Sequence, residues 1–451
     1  MKRAASALAL VLAGAVLAGC VSHDGDAASA ATIQGTACLG AARGHCHIRD
    51  GILVVEGLSI RTERSKDVGL RILDASLPIR LKDVDVRGPQ VGVRIDSACE
   101  ACRIDLEGAR IEAVMVGLYV GNVTASMGAV HVDASEIRTT GLLHSAAISF
   151  QKASRLTLND TTLSGPGDVP GTAIIAIDHP ADVQATGLKV QGYLNGLWGF
   201  FSGLDVRSSD FECINDAIFS LTYAPQVTMD HVTVKGCGST HPECGDTVDA
   251  SGCGVGIWLA GNVTEHGGSL TMQNMTFQDN TVAVSIGNYT DVLLTDFVVE
   301  GGSSGISVSG PGWPVPRAIV RDGRVQGTAF EGMLLAVDRL TMENVSFLDN
   351  GHSPPTRPIQ FSGRGLEIRS LLPSGDSAKG PRIIRNCSFS GNLALGLLYQ
   401  ETPPLDARNN WWGAATGPSI QPVNGQPIPG FGDAITLPGL ILTEPHRTSP
   451  P

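Results

Sequence analysis

The residues of this chain whose types and spacing could do chemistry are a scatter of acids, one Asp-His pair and a few aromatics. Glycoside hydrolysis needs two carboxylates, ~5–5.5 Å apart for retention or ~6.5–9.5 Å for inversion. Asp205, Asp210, Glu212, Asp216 and Asp230 fall close together in sequence, but no two of them recur one repeat apart at the same phase. Asp216, next to a run of aromatics, is the strongest single candidate. Asp178-His179, in AIDHPAD, could act as an acid–base pair at a strand end, or could mark a turn ahead of Pro180. Asp230-His231 falls where other repeats place a corner. A lyase would need a base and a neutraliser, often Ca²⁺ held by several acids. No acidic cluster of that density occurs, and otherwise no cofactor is expected.

The aromatics carry a second kind of chemistry. In GLYVGN, NGLWGFF and GVGIWLAG the alternation aims Leu118, Leu197 and Ile257 inward and Tyr119, Trp198 and Trp258 outward. Outward rings along a flat sheet suit the apolar faces of sugars. Neighbouring loops could equally cover them as local core.

The elements that must position these residues are repeats. LTMQNMTFQDN at 270–280 returns as LTMENVSFLDN at 340–350 and, more loosely, as IIRNCSFSGN at 383–392. Each copy reads as strand, corner, strand, corner, strand, because period-two alternation is interrupted by Asn, which tolerates a left-handed backbone. Repeat starts fall near Leu53, Leu81, Ile104, Val130, Leu156, Val183, Leu204, Val227, Leu270, Val292, Ile319, Leu340, Ile383 and Leu405. Successive starts differ by 21 to 28 residues, except two steps of 43 that contain inserted loops, 237–252 and 351–364. One unit cannot bury its apolar side alone and must stack on copies of itself. The expected fold is all-β, a right-handed parallel β-helix of about 14 coils over residues 37–418. The two loops leave the same point of the repeat, so carboxylates and a cation converging beside them would mark a site. Asn280, Asn350 and Asn392 share one phase and could stack as a ladder.

Charged residues make up 17% of the chain, Gly numbers 55 and the net charge is −12. Positive-φ corners explain the glycines and stacked buried strands the low charge. The acidic balance excludes nucleic acid as a partner. Lys2 and Arg3 followed by an apolar run over 4–16 form an export signal, and 21–36 reads as a flexible tether. Cysteines fit an oxidising compartment. Cys38 and Cys46 are close; Cys99 and Cys102 form a CxxC; Cys213 and Cys237 are about one coil apart; Cys244 and Cys253 could close the first inserted loop. Metal binding by the CxxC, or by His241, Cys244 and Cys253, is the alternative to disulfides. Cys387 is left over and expected to be buried.

Two resemblances add to this. Leu17-Ala18-Gly19-Cys20 resembles the bacterial lipoprotein signal. It implies lipidation at Cys20, a membrane anchor and, with Val21 following, the outer membrane or cell surface. NNWWGAATGP at 409–418, followed by Gly432-Asp433-Ala434-Ile435, resembles the closing motif of parallel β-helix surface proteins of the pectin-lyase-like superfamily. That superfamily includes lyases, hydrolases, epimerases and adhesins, so the resemblance speaks to fold more than function. Trp411 and Trp412 would then cover the core of the last coil, and the Pro-rich 419–451 would wrap or trail. The functional expectation is a lipid-anchored protein that binds, and in a stronger form processes, an extracellular polysaccharide as glycoside hydrolase or lyase. A non-enzymatic adhesive rod and a lyase or epimerase with an unrecognised site are the rivals.

Overall fold

The computed structural model describes residues 29–451 except 63–66, 97–101, 122–126, 142–144, 151–152, 168–170, 222–225, 239–254, 261–267, 309–314, 352–363, 369–379, 400–403, 421–431 and 437–440. Cys20, Cys99, Cys244, Cys253 and most of both inserted loops lie outside the described residues. The described residues form strands and turns and no helix. They divide into two compact units, Met1–Ala224 and Pro225–Pro451. Each is a parallel β-solenoid with three strands to a turn.

In the first unit the first strands stack in register through Leu53, Ile79, Ile104, Val130, Leu156, Val183 and Leu204. In the second unit the same column runs through Val227, Leu270, Val292, Ala318, Leu340 and Arg382. The expected repeat starts therefore fall on matched positions almost throughout. Three are off: Leu81 lies two residues past Ile79, and Ile319 and Ile383 each lie one residue past Ala318 and Arg382, whose side chains are buried. Strand pairing also reaches past the expected boundaries of the solenoid. Ser29–Gln34, in the stretch read as tether, pairs in parallel with Val68–Leu73, and Gly432–Ile435 pairs with Leu395–Tyr399.

The corner chemistry is visible residue by residue. Met272 and Met275 are both buried although three apart, which an unbroken strand would forbid. Asn274 between them is left-handed (φ 54), so the chain turns and the side-chain phase resets. His231, Asp296, Asp322 and Asn344 do the same in neighbouring turns. The other corner is held by Asp or Gly, all at positive φ: Asp279, Gly301, Gly327, Asp349 and Gly391 in successive turns. A Cβ on Gly301 or Gly391 would collide with Oδ1 of Asp279 or Asp349 from the turn before. Gly391 also has φ 75, which an L side chain strains to adopt. Gly391→Ala is expected to cost roughly 1–3 kcal/mol, read from the urea midpoint. Adding Asp349→Gly should recover part of the loss.

The recurring asparagines are buried and aligned. Asn350 Nδ2 donates to Asn392 Oδ1 at 2.9 Å, and Asn392 Nδ2 donates to Asp433 at 2.6 Å. Asn280 differs: its side chain accepts from the Cys237 N–H at 3.0 Å and donates to the Val234 carbonyl at 3.1 Å. The turns between Asn280 and Asn350 place Gly302 and Thr328 in this slot, so Asn280 has no neighbouring amide to join. At the C-terminal end Phe347, Phe389 and Trp412 stack with centroids 5.2 and 4.7 Å apart. Trp412 is fully buried and Trp411 half-buried. The core is thus closed by one tryptophan, while Asp433 terminates the amide ladder beside it.

Cys38 and Cys46 are joined in a disulfide. Cys102 and Cys237 are disulfide-bonded as well, with partners among side chains outside the described set. Cys387 is a free thiol, and burial pushes its pKa up to about 12, so it is inert.

Candidate functional site

The third strand of every turn opens with the same local pattern: one residue, then Gly or Ala, then an inward apolar residue, then an outward one. The residue is small because the second strand lies close, and in the turns that carry Gly even a Cβ would not fit. At Gly92 and Gly117, for example, it would run into the Ile111 and Ile137 side chains. Two columns of side chains flank this small-residue row on the outer surface, and their composition differs between the units.

In the second unit the column before the small residue runs Val255, Val282, Ser304 by strand register. It continues, two residues before Met333 and Leu366, with Glu331 and Arg364, and ends at Leu395. Three polar residues therefore replace valines on successive rungs, ~4.8 Å apart. Ser304 Oγ donates to Glu331 Oε2 at 3.2 Å, and the Glu331 carbonyl accepts from the Gly305 N–H at 2.9 Å. Arg364 Nη1 forms an ion pair with Glu367 Oε2, three residues along its own strand. Glu367 is 5% exposed. It belongs to the outward column Trp258, Ser285, Ser307, Leu334, Glu367, Leu398. Leu395, Leu398 and Ala434 form a buried apolar cluster at the C-terminal end of that column.

Burial pushes the Glu331 carboxyl above the ordinary glutamate range, and the nearby Glu367 charge adds to this, while Arg364 and Ser304 oppose it. Two carboxyls thus occupy unlike environments. One is biased toward its protonated form, and the other has a guanidinium partner for its charge. Such a division is what assigns acid and base roles in a pair. Among the described residues no group of three or more His, Cys, Asp or Glu is placed to hold a metal ion.

In the first unit the column before the small residue runs Val68, Val91, Val116, Ala146, Thr172 and Asn195, apolar at first and polar later. Val68, Val91 and Val116 pack with Tyr119 into a buried apolar cluster, with Met115 against it. The outward column there runs Arg71, Arg94, Tyr119, Ser149, Ile175, Trp198. Arg71 and Arg94 both pair with Asp96, at 2.5 and 2.6 Å, and the Arg94 guanidinium lies 5.3 Å from the Tyr119 ring centre.

The residues expected to bind or react are therefore dispersed. Tyr119 and Trp198 face outward but are buried, at 2% and 7% exposure, and Trp258 is half-buried. Trp198 belongs to the first unit and Trp258 to the second, so each is described within its own unit. Asp216 is half-buried in Lys189–Leu221. Asp178 and His179 lie in Gly171–Thr186, with side chains outside the described set. Asp230 accepts from Asn274 Nδ2 at 2.8 Å, which holds its carboxyl below the usual range, and pairs with the exposed His231 at 2.7 Å. That pair is corner structure.

Glu331, Arg364 and Glu367 escaped the search for acids one repeat apart because they occupy different positions of the pattern. A usable signal was present: in Glu331-Gly332 and Arg364-Gly365 a charged residue precedes the glycine where Val68-Gly69, Val91-Gly92, Val116-Gly117 and Val255-Gly256 carry valine. A charge in an apolar slot of a repeat is costly and hence informative.

No protein-family model matches the chain, and no curated protein does. Among solved structures the chain is similar to the catalytic unit of the thermostable GH87 α-1,3-glucanase from Streptomyces thermodiastaticus strain HF3-3. The identity is 12% and the TM-score 0.35, over 95% of this chain and 69% of that one.

Proposed function

We propose that the protein is exported, anchored through a lipid on Cys20, and binds an extended polysaccharide along the outer face of the third strands of its second unit. Glu331 and Glu367 act on the bound chain as general acid and base. The observation that carries the reading is the substitution of Ser304, Glu331 and Arg364 for valines on consecutive rungs. This run lies beside an outward row that begins at Trp258 and ends at Glu367. That row covers five rungs, four spacings or ~19 Å, a length suited to several linked sugars.

In the stronger form of the reading, protonated Glu331 gives its proton to the glycosidic oxygen as the C–O bond breaks. Glu367 accepts a proton from the water whose oxygen bonds to the anomeric carbon, so one fragment leaves with a new reducing end and the other with the protonated glycosidic oxygen as a free hydroxyl. Arg364 orients Glu367 and holds its charge.

Purified protein incubated with a panel of neutral and uronic-acid polysaccharides tests this. Binding to one polymer class is expected, with new reducing ends, and Trp258→Ala should weaken the binding about tenfold. Failure to bind any polymer would refute the reading. Unsaturated products would replace hydrolysis by a lyase, and binding indifferent to Trp258→Ala would favour the adhesive alternative.

A further inference from the structure

The N-terminal end of the first unit is built unlike the rest of that unit. Ser29–Gln34 pairs antiparallel with Ala37–Gly40, and Cys46–Arg49 pairs antiparallel with Ile52–Glu56. The Cys38–Cys46 disulfide ties the two hairpins together, with Cα atoms 6.4 Å apart. Antiparallel hairpins blunt the open edge that a stack of parallel turns would otherwise present. Yet this closed end exposes apolar side chains: Leu39 is 39% and Ile48 58% exposed. Leu39 adjoins Cys38 and Ile48 lies two residues beyond Cys46, so the disulfide brings both to one end of the cap.

Charge is biased there too. The chain carries 44 acids against 32 Lys and Arg, yet residues 29–49 contain no Asp or Glu. The same stretch holds Arg43, His45, His47 and Arg49; both arginines and His47 are exposed. Asp50 stands 3.7 Å from Arg49 with both side chains exposed, and Glu56 is paired with Lys82. Exposed aliphatic tips among cationic residues on a rigid hairpin match the chemistry of a lipid headgroup layer, which takes apolar groups at its boundary and cations at its phosphates.

Chain length completes the argument. Eight residues, 21–28, separate Cys20 from Ser29. At full extension nine peptide steps reach about 30 Å, so an anchored Cys20 confines this cap to the vicinity of the bilayer. We propose that the N-terminal cap docks on an anionic lipid surface, with Leu39 and Ile48 in the headgroup region and Arg43 and Arg49 against lipid phosphates. This rests on the Cys20 anchor in the function proposed above, and it would fix how the solenoid stands on its membrane.

The test uses the acylated protein in phosphatidylcholine vesicles with and without phosphatidylglycerol. Amide exchange across residues 37–49 is expected to slow roughly tenfold in the anionic vesicles relative to the zwitterionic ones. Arg43→Glu with Arg49→Glu should abolish the difference, and Leu39→Asp with Ile48→Asp should abolish protection in both vesicles. Equal exchange of wild type in both vesicles and in lipid-free solution would overturn the docking while leaving the anchor intact. The mass of Cys20 reports the anchor separately. If Cys20 carries no lipid, co-sedimentation of the full chain with the same vesicles decides the cap: binding that needs Arg43 and Arg49 supports it, and no binding refutes it.

Discussion

Glu331→Gln is expected to lower polymer cleavage by ~10²–10⁴-fold, while the folded protein becomes more heat-stable at any pH where the wild-type carboxyl is ionised. The two effects share one cause. Burial and the Glu367 charge raise the Glu331 pKa on folding, from an ordinary value of 4.5. Just above that value the folded chain keeps a proton that the unfolded chain has released. The contribution of Glu331 to stability is therefore fully present below pH 4.5 and is lost as pH rises through the folded-state value. Above the folded-state value the wild type carries a charge that burial disfavours and the Gln variant lacks, whereas Gln still accepts the Ser304 hydrogen bond. Melting temperatures measured from pH 4 upward test this: the gap should be closed at pH 4, and the advantage of the variant should grow as pH rises through the folded-state value. A group that costs stability yet occupies a slot where valine serves elsewhere is the mark of a functional residue. A variant that is less stable at every pH would instead make Glu331 a structural partner of Ser304.

Trp412→Ala should destabilise the second unit by about 3–5 kcal/mol. The ring is fully buried and stacks on Phe389 at 4.7 Å, and Phe389 stacks on Phe347. Removing it opens the last turn to water, and in a solenoid the loss propagates through nearest-neighbour interfaces. Trp412→Phe should cost much less, because it keeps a flat ring and removes an indole N–H that has no hydrogen-bond partner. Denaturant unfolding, with amide exchange over 383–412, checks both. Equal losses for Ala and Phe would show that the pocket recognises the indole itself and not a stacked cap. Trp411, half-buried beside it, should tolerate Ala far better.

The sequence by itself determined the solenoid, its corners and most of its register. Repeated alternation dictates stacked strands whatever the surroundings. Single residues such as Asn274, Asn344 and Asp349 set the turn positions through local backbone preference, which needs no partner. The isolation of Cys387 and the pairing of Cys38 with Cys46 were also legible, from count and proximity. Tertiary structure alone decided which outward positions are free. Tyr119 and Trp198 point away from the core as alternation requires, yet neighbouring groups such as Arg94 bury Tyr119. Coverage of a face depends on what the rest of the chain lays across it. The site was hidden for a related reason. Glu331, Arg364 and Glu367 are 33 and 36 residues apart along the chain, counted from Glu331. Only the stacking of turns turns those intervals into neighbours, and only burial in that stack raises the proton affinity of Glu331.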